Sequence, residues 1–278
     1  MKKKILALLL ISIFCMALFT ACSSPAGNTG DNSADGSTDG EAYTFKHGFD
    51  LDYPPYSYLQ DDGTIGGFDV EVCQAVCEYL GWNYESVPFN WDSKDAELTS
   101  GACDCIWSGF TVEGREDDYL WSIPYSNNIQ VIMTAAESGI ETLADLSGKL
   151  VGVQVATSAL SLLEDEEGAA DLAATFGQLL QYETYTVAFN DLKAGAIDAI
   201  AIDMPVAQFL MQDSEGFVIL EEELGSETYA IGFRLDDQEL CDQINAALEA
   251  LSENGTFDKI AENYPEIADF LCLGKNAG

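Results

Sequence analysis

Short apolar runs with strand character alternate with amphipathic helical stretches along most of this chain, and that alternation constrains its fold more than any other feature. In the first half the pattern predicts strands over 43–49, 64–67, 82–87 and 104–107, with helices over 69–80 and 92–100 that stop at Gly81 and Gly101. A second unit begins at TLADLSGKLVGVQ. It continues with helices over 158–166 and 169–177, strand 181–184, helix 186–194, strand 197–202, helix 204–211 and strand 217–220. Two β-rich runs, IQVIMTA (129–135) and ETYAIGFRL (227–235), bracket this unit, and two terminal helices (236–253 and 256–263) follow, separated by Asn254 and Gly255. A strand followed by a helix and another strand is the unit of a doubly wound sheet, so the expectation is α/β lobes with largely parallel sheets. No internal repeat is apparent.

At 278 residues, 47% of them hydrophobic, the chain can bury a large core as one long domain or two lobes. It opens MKKKILALLLISIFCMALFTAC: three lysines, an apolar run from Ile5 to Phe19, then small residues before Cys22. That is a secretory signal over 1–21, too short and wrongly flanked for a retained membrane helix. It resembles a bacterial lipoprotein signal in which FTAC is the lipobox and Cys22 the acylated N-terminus, with Phe19 where Leu is usual. Residues 22–42 then form a flexible tether, rich in Gly, Ser, Asn and Asp and without a large apolar side chain.

Without the signal lysines, eight basic residues face 48 acidic ones, a formal balance of −40. Nucleic acid and anionic lipid surfaces are repelled by most of such a surface and are poor partners. Six cysteines remain after Cys22. Cys73 and Cys77 lie on one apolar helical face, and Cys103 and Cys105 alternate along CDCIW; both pairs read as small core residues. A disulfide framework is not indicated, and Cys241 with Cys272 is the one pair left open. The lone histidine, His47, gives no metal cluster, and His47 and the acids of QDDGT are expected to be exposed. Arg115 is one of only two arginines, and it sits among four acids in SGFTVEGREDD.

Seven stretches, in order, carry a family resemblance: DYPPYSY, GGFDVEVCQAV, GFTVEGRE, SIPYSNN, TLADLSGKLVGVQVATS, LKAGAIDAIAIDMPVA and ENGTFDKI. From about residue 43 to 270 the chain resembles the amino-acid-binding receptors of bacterial ABC importers, the polar amino acid uptake (family 3 solute-binding) proteins. The resemblance implies a two-lobed periplasmic-binding-protein-like fold of type II with the ligand cleft between the lobes. Lobe one would comprise 43–130 and 232–278, lobe two 131–231, and the hinges 129–135 and 228–234.

For the site, the resemblance implies that Arg115, just after the turn containing Ser108, Gly109 and Thr111, takes the ligand's α-carboxylate. A guanidinium meets a carboxylate with two parallel charge-assisted bonds that lysine cannot reproduce. Here the segment from Thr111 to Arg115 is one residue shorter than the common pattern. Thr157 and Ser158, at a helix start where backbone N–H groups favour anions, would complete the carboxylate site; Ala156 stands where many relatives have Gly. Asp203, closing AIAID, would accept the ammonium group with help from Ser108 and Thr111. Tyr53 and Trp91 would flank the ligand side chain, and Asp50 and Gln154 would meet its polar end. Asp50 favours a donor there, and no unassigned motif position supplies a cation for a second carboxylate.

The mechanism implied is hinge closure on a polar or basic amino acid, followed by delivery to a separate permease driven by ATPase subunits. The receptor would be monomeric, use no cofactor, and be held by lipid at Cys22 to the outer face of the cell membrane. The competing reading is an enzyme on the same scaffold, a dehydratase or decarboxylase, or else a sensor that does not transport. Against an enzyme, no nucleophile and base pair or cofactor loop is evident.

Overall fold

The computed structural model describes residues 42–273. The signal, Cys22 and all of the tether but Ala42 lie outside the described residues, as do 274–278.

Two sheets organise the chain. In the first, strands run in the order Asn83–Phe89, Thr44–Asp50, Cys105–Ile106, Gly232–Phe233 and Leu120–Trp121. The first three are parallel, and Gly232–Phe233 enters antiparallel between its neighbours. A segment from beyond the second sheet therefore completes the first. In the second sheet the order is Gln178–Tyr182, Leu150–Gln154, Ala199–Asp203, Ser126–Ala135 and Phe217–Ile219, with Gly225–Tyr229 also paired to Ser126–Ala135. Leu150–Gln154 is parallel to both its neighbours, while Ser126–Ala135 is antiparallel to all of its own.

The local sequence accounts for these elements. Ala199–Asp203 is buried throughout, as its unbroken apolar run requires for a strand covered on both faces. Helix Phe68–Leu80 buries Phe68, Val72, Cys73, Val76 and Cys77, then ends at Gly81 in the left-handed conformation (φ 70°), whose N–H caps the carbonyls of Cys77 and Glu78. Helix Gln238–Asn254 buries Cys241, Ile244, Ala247, Leu248 and Leu251 on one stripe and packs on Phe68–Leu80. Thr184 caps helix Tyr185–Lys193 by accepting from Val187 N–H, and Pro205 sits in the first turn of Met204–Met211.

Two expectations change, and the one cysteine pair left open is settled. His47 is fully buried: its strand has neighbours on both edges and covered faces, Nε2 donates to the Trp107 carbonyl (2.7 Å) and Nδ1 accepts from Tyr84 (3.1 Å). Burial pushes its pKa down to about 4. The run 129–135 lies inside the second sheet, and the chain leaves the first sheet earlier, after Trp121. There Ser122 and Tyr125 bond to Ile231 and Tyr229, so the two connections run side by side. Cys241 and Cys272 are both free, and the Cys241 thiol points to the Trp121 carbonyl (3.4 Å).

Gly48 is closely packed in strand Thr44–Asp50, because a Cβ there would lie 2.6 Å from the Cys105 carbonyl oxygen and 2.7 Å from Phe89. Gly48→Ala is expected to destabilise the protein by about 3 kcal/mol through overpacking, read as a lower urea midpoint with unchanged slope.

Candidate functional site

The candidate residues gather at the carboxyl ends of the parallel strands, where open α/β sheets bind ligands. Asp50 closes Thr44–Asp50, Trp91 follows Asn83–Phe89 and the Ser108–Thr111 turn follows Cys105–Ile106. From the second lobe, Gln154 closes Leu150–Gln154, and Asp203 closes Ala199–Asp203. One cavity is lined by Tyr53, Trp91, Ser108, Gly109, Thr111, Arg115, Gln154, Thr157, Ser158 and Asp203. Asp50 stands against it, accepting from Gln154 Nε2 (2.7 Å) and from Asp52 N–H (3.0 Å). All eleven residues singled out in the sequence therefore converge on one place. The space between the walls is about 10 Å³, room for about one water, and Thr111, Arg115 and Ser158 also line an adjoining cavity of about 410 Å³.

Arg115 forms no carboxylate pair among the described residues. It donates to the Thr111 carbonyl (3.2 Å) and lies over the Phe110 ring, 5.3 Å from its centroid. Glu113, its acidic neighbour, accepts instead from Thr228 N–H (2.8 Å). The guanidinium thus keeps donors for a ligand anion.

The Ser108–Thr111 turn is held from behind. Gly109 has φ 53°, its N–H donates to Asp69 Oδ2 (2.8 Å), and a Cβ on it would lie 2.6 Å from the Tyr53 ring. Asp69 is fully buried, also accepts from the Tyr125 hydroxyl (2.8 Å), and is pushed up to about 7 by desolvation. Opposite, Thr157 caps helix Ser158–Glu164 by accepting from Leu160 N–H. Ala156 before it has φ 57°, a left-handed conformation strained for a residue with a Cβ, and its carbonyl accepts from Trp91 Nε1 (3.1 Å).

Asp203 stands at the N-cap of Met204–Met211 yet makes no capping bond with its side chain. Its Oδ1 accepts instead from Asn128 Nδ2 (2.7 Å), Gln130 Nε2 (2.6 Å) and the Tyr229 hydroxyl (2.6 Å). Asn128 and Gln130 also donate to Glu227 Oε1 (2.6 and 2.8 Å). Burial, then the charge of Asp203, pushes Glu227 up to about 7, and burial raises Asp50 to about 6. Gln130, Glu227 and Tyr229 lie outside the seven stretches quoted above, and Asn128 ends SIPYSNN without a role assigned to it there. Their signal is positional, polar residues two apart on strands that pair with Glu227 opposite Asn128.

Among the described residues no group of three or more His, Cys, Asp or Glu is arranged to hold a metal, and no helix is long and apolar enough to cross a membrane. What remains is a hinged cleft, an unpaired guanidinium on one lobe and a buried carboxylate on the other: the type II periplasmic-binding-protein fold, built to close on a small molecule.

Comparison with known proteins agrees. Residues 45–266 match the bacterial extracellular solute-binding proteins, family 3, and the chain belongs to that family. It is 32% identical over 270 residues to the arginine-binding extracellular protein ArtP of Bacillus subtilis, covering 94% of this chain and 98% of that protein. It is 28% identical over 228 residues to the L-cystine-binding protein TcyJ of Escherichia coli K12, covering 81% and 83%. The crystal structure of an ABC uptake transporter substrate-binding protein from Streptococcus pneumoniae with bound histidine superposes with a TM-score of 0.74 at 31% identity, covering 80% of this chain and 92% of that one.

The raised acids give a sign to the pH dependence of stability. Asp50, Asp69 and Glu227 bind protons more tightly folded than unfolded, so their contribution is lost as pH rises from about 4 through 6 to 7; His47, lowered to about 4, acts oppositely only below about 6.5. The ligand-free protein is expected to melt at a higher temperature at pH 6.5 than at pH 8, and Asp69→Asn to flatten that difference, as differential scanning calorimetry will show.

Proposed function

We propose that this chain is the extracellular receptor of an ABC importer, closing on a free amino acid and handing it to a permease. The observation that carries the reading is the division of opposite charges. Arg115 and Asp203 face one cleft from different lobes, each held by neutral groups, so a zwitterion can bridge them and stabilise closure. Ser108, Gly109, Thr111, Thr157 and Ser158 complete the backbone end of the site, and Tyr53 and Trp91 flank the side chain.

The charge balance supports a ligand with a donor or a cation at its far end. Three buried carboxylates, Asp50, Asp203 and Glu227, stand against the single guanidinium of Arg115. Arginine, lysine, histidine and glutamine meet this requirement, as does cystine through its second ammonium group, and ligands whose side chain ends in a carboxylate alone do not. The relatives that bind arginine, cystine and histidine support the same class. In this reading the ligand is released unchanged, and lipid on Cys22 holds the receptor at the membrane through the 22–42 tether.

A thermal-shift screen of residues 43–278 against these ligands tests the assignment. At about 100 times the dissociation constant, binding adds roughly 2.7 kcal/mol and raises the melting temperature by about 5 to 10 °C. Arg115→Ala should weaken binding about 10- to 100-fold by calorimetry, with Arg115→Lys failing to restore it, since charge-assisted bonds contribute about 1.5–3 kcal/mol. For the anchor, Cys22→Ser in the full chain should shift the protein from the membrane pellet to the soluble fraction and abolish labelling by radioactive palmitate.

A further inference from the structure

Asp203 is not alone at the end of the cleft. Asn128 Nδ2 and Gln130 Nε2 each donate to both Asp203 Oδ1 and Glu227 Oε1, so two carboxylate oxygens are clamped by the same two amides, at 2.6–2.8 Å throughout. The amide oxygens of those side chains, Asn128 Oδ1 and Gln130 Oε1, are buried without a hydrogen-bond partner. Gln130 is 2% exposed, Asn128 1%, Asp203 2% and Glu227 8%. The cluster therefore offers unused acceptors beside two acids, which is what an ammonium group with three N–H donors needs.

Among the described residues, the charged and titratable neighbours supply no cation on the inner side. Tyr229 comes from the same strand as Glu227, Tyr185 from helix Tyr185–Lys193, and Tyr53 and Tyr56 from the first lobe; burial raises all four hydroxyls well above their ordinary range, so they stay neutral. Ser158 lies beside Gln130 (3.2 Å). On the outer side Glu227 shares its cavity with Arg115, Glu113 and Asp165. Two carboxylates on common donors, away from bulk water, do not both ionise readily.

The geometry points to Glu227 as the second carboxylate of the ammonium site, carrying a proton that the incoming ammonium displaces into solvent. The balance is a protonated carboxyl and an alkylammonium on one side, and a carboxylate paired with that ammonium plus a proton on the buffer on the other. The upward displacement of Glu227 to about 7 sets the working range near neutrality. This inference rests on the amino-acid reading above.

Isothermal titration calorimetry of the wild type at pH 6.5 in phosphate and in Tris, with whichever of L-arginine, L-histidine and L-cystine gives the largest thermal shift, counts the protons released. The expected result is about one half to one proton per ligand, with affinity rising about tenfold from pH 6 to pH 8. Glu227→Gln should bind with heats independent of the buffer and a flat pH profile. Carboxyl ¹³C NMR of the unsubstituted protein gives the same test without the variant: Glu227 should titrate near neutrality when ligand-free and stay ionised over that range when loaded. Binding with buffer-independent heats in the wild type, or unchanged proton release in Glu227→Gln, overturns this inference alone. Failure of all three amino acids to bind overturns the amino-acid reading and this one with it.

Discussion

A cleft that recognises a zwitterion has to keep a cation and an anion within reach of one small molecule while preventing them from neutralising each other. Here the separation is made by neutral partners. Arg115 rests on a backbone carbonyl and an aromatic face, and Asp203 on two amides and a phenol, so each charge is positioned without an opposite charge beside it. Holding a buried carboxylate with dipoles alone is costly unless its lone pairs are met, and three donors on one oxygen meet that need.

The same logic runs outward. The turn bearing Ser108 and Thr111 keeps its shape because Asp69 accepts from Gly109, and Asp69 is fixed by Tyr125. Asp69 lies in the first turn of helix Phe68–Leu80, so the packing of that helix on Gln238–Asn254 reaches the cleft through one hydrogen bond. The glycine at 109 is required twice, by its positive φ and by the Tyr53 ring against it.

Much of this was legible in the sequence. Arg115 stands out because a guanidinium in so acidic a chain is conspicuous, and Asp203 because it ends an apolar strand. The alternation of strands and helices gives the sheets, since each element writes its own period. What is not legible depends on pairing between distant segments. Glu227 joins the site because its strand lies in register with Asn128, a hundred residues away in sequence, and no local pattern carries that register. His47 misleads for a similar reason: a histidine among alternating residues reads as a surface position until strands cover both its edges. The crossover is misplaced because Ser126–Ala135 is β-rich throughout, and composition does not say which residues of a long strand belong to a sheet and which span a gap.

Several hydrogen bonds join the lobes, among them Gln154 to Asp50, Trp91 to the Ala156 carbonyl, and Thr186 to Asp52 (2.6 Å). Each of them favours the closed form, so closure is stabilised by the protein's own groups as well as by what lies between the lobes. The first differs from the other two. A ligand whose far end takes Asp50 competes with Gln154 for it, exchanging one hydrogen bond for another, whereas the other two involve neither Asp50 nor Gln154. Affinity then reflects the exchange of a bond between the lobes for a bond to the ligand, as well as the contacts the ligand adds.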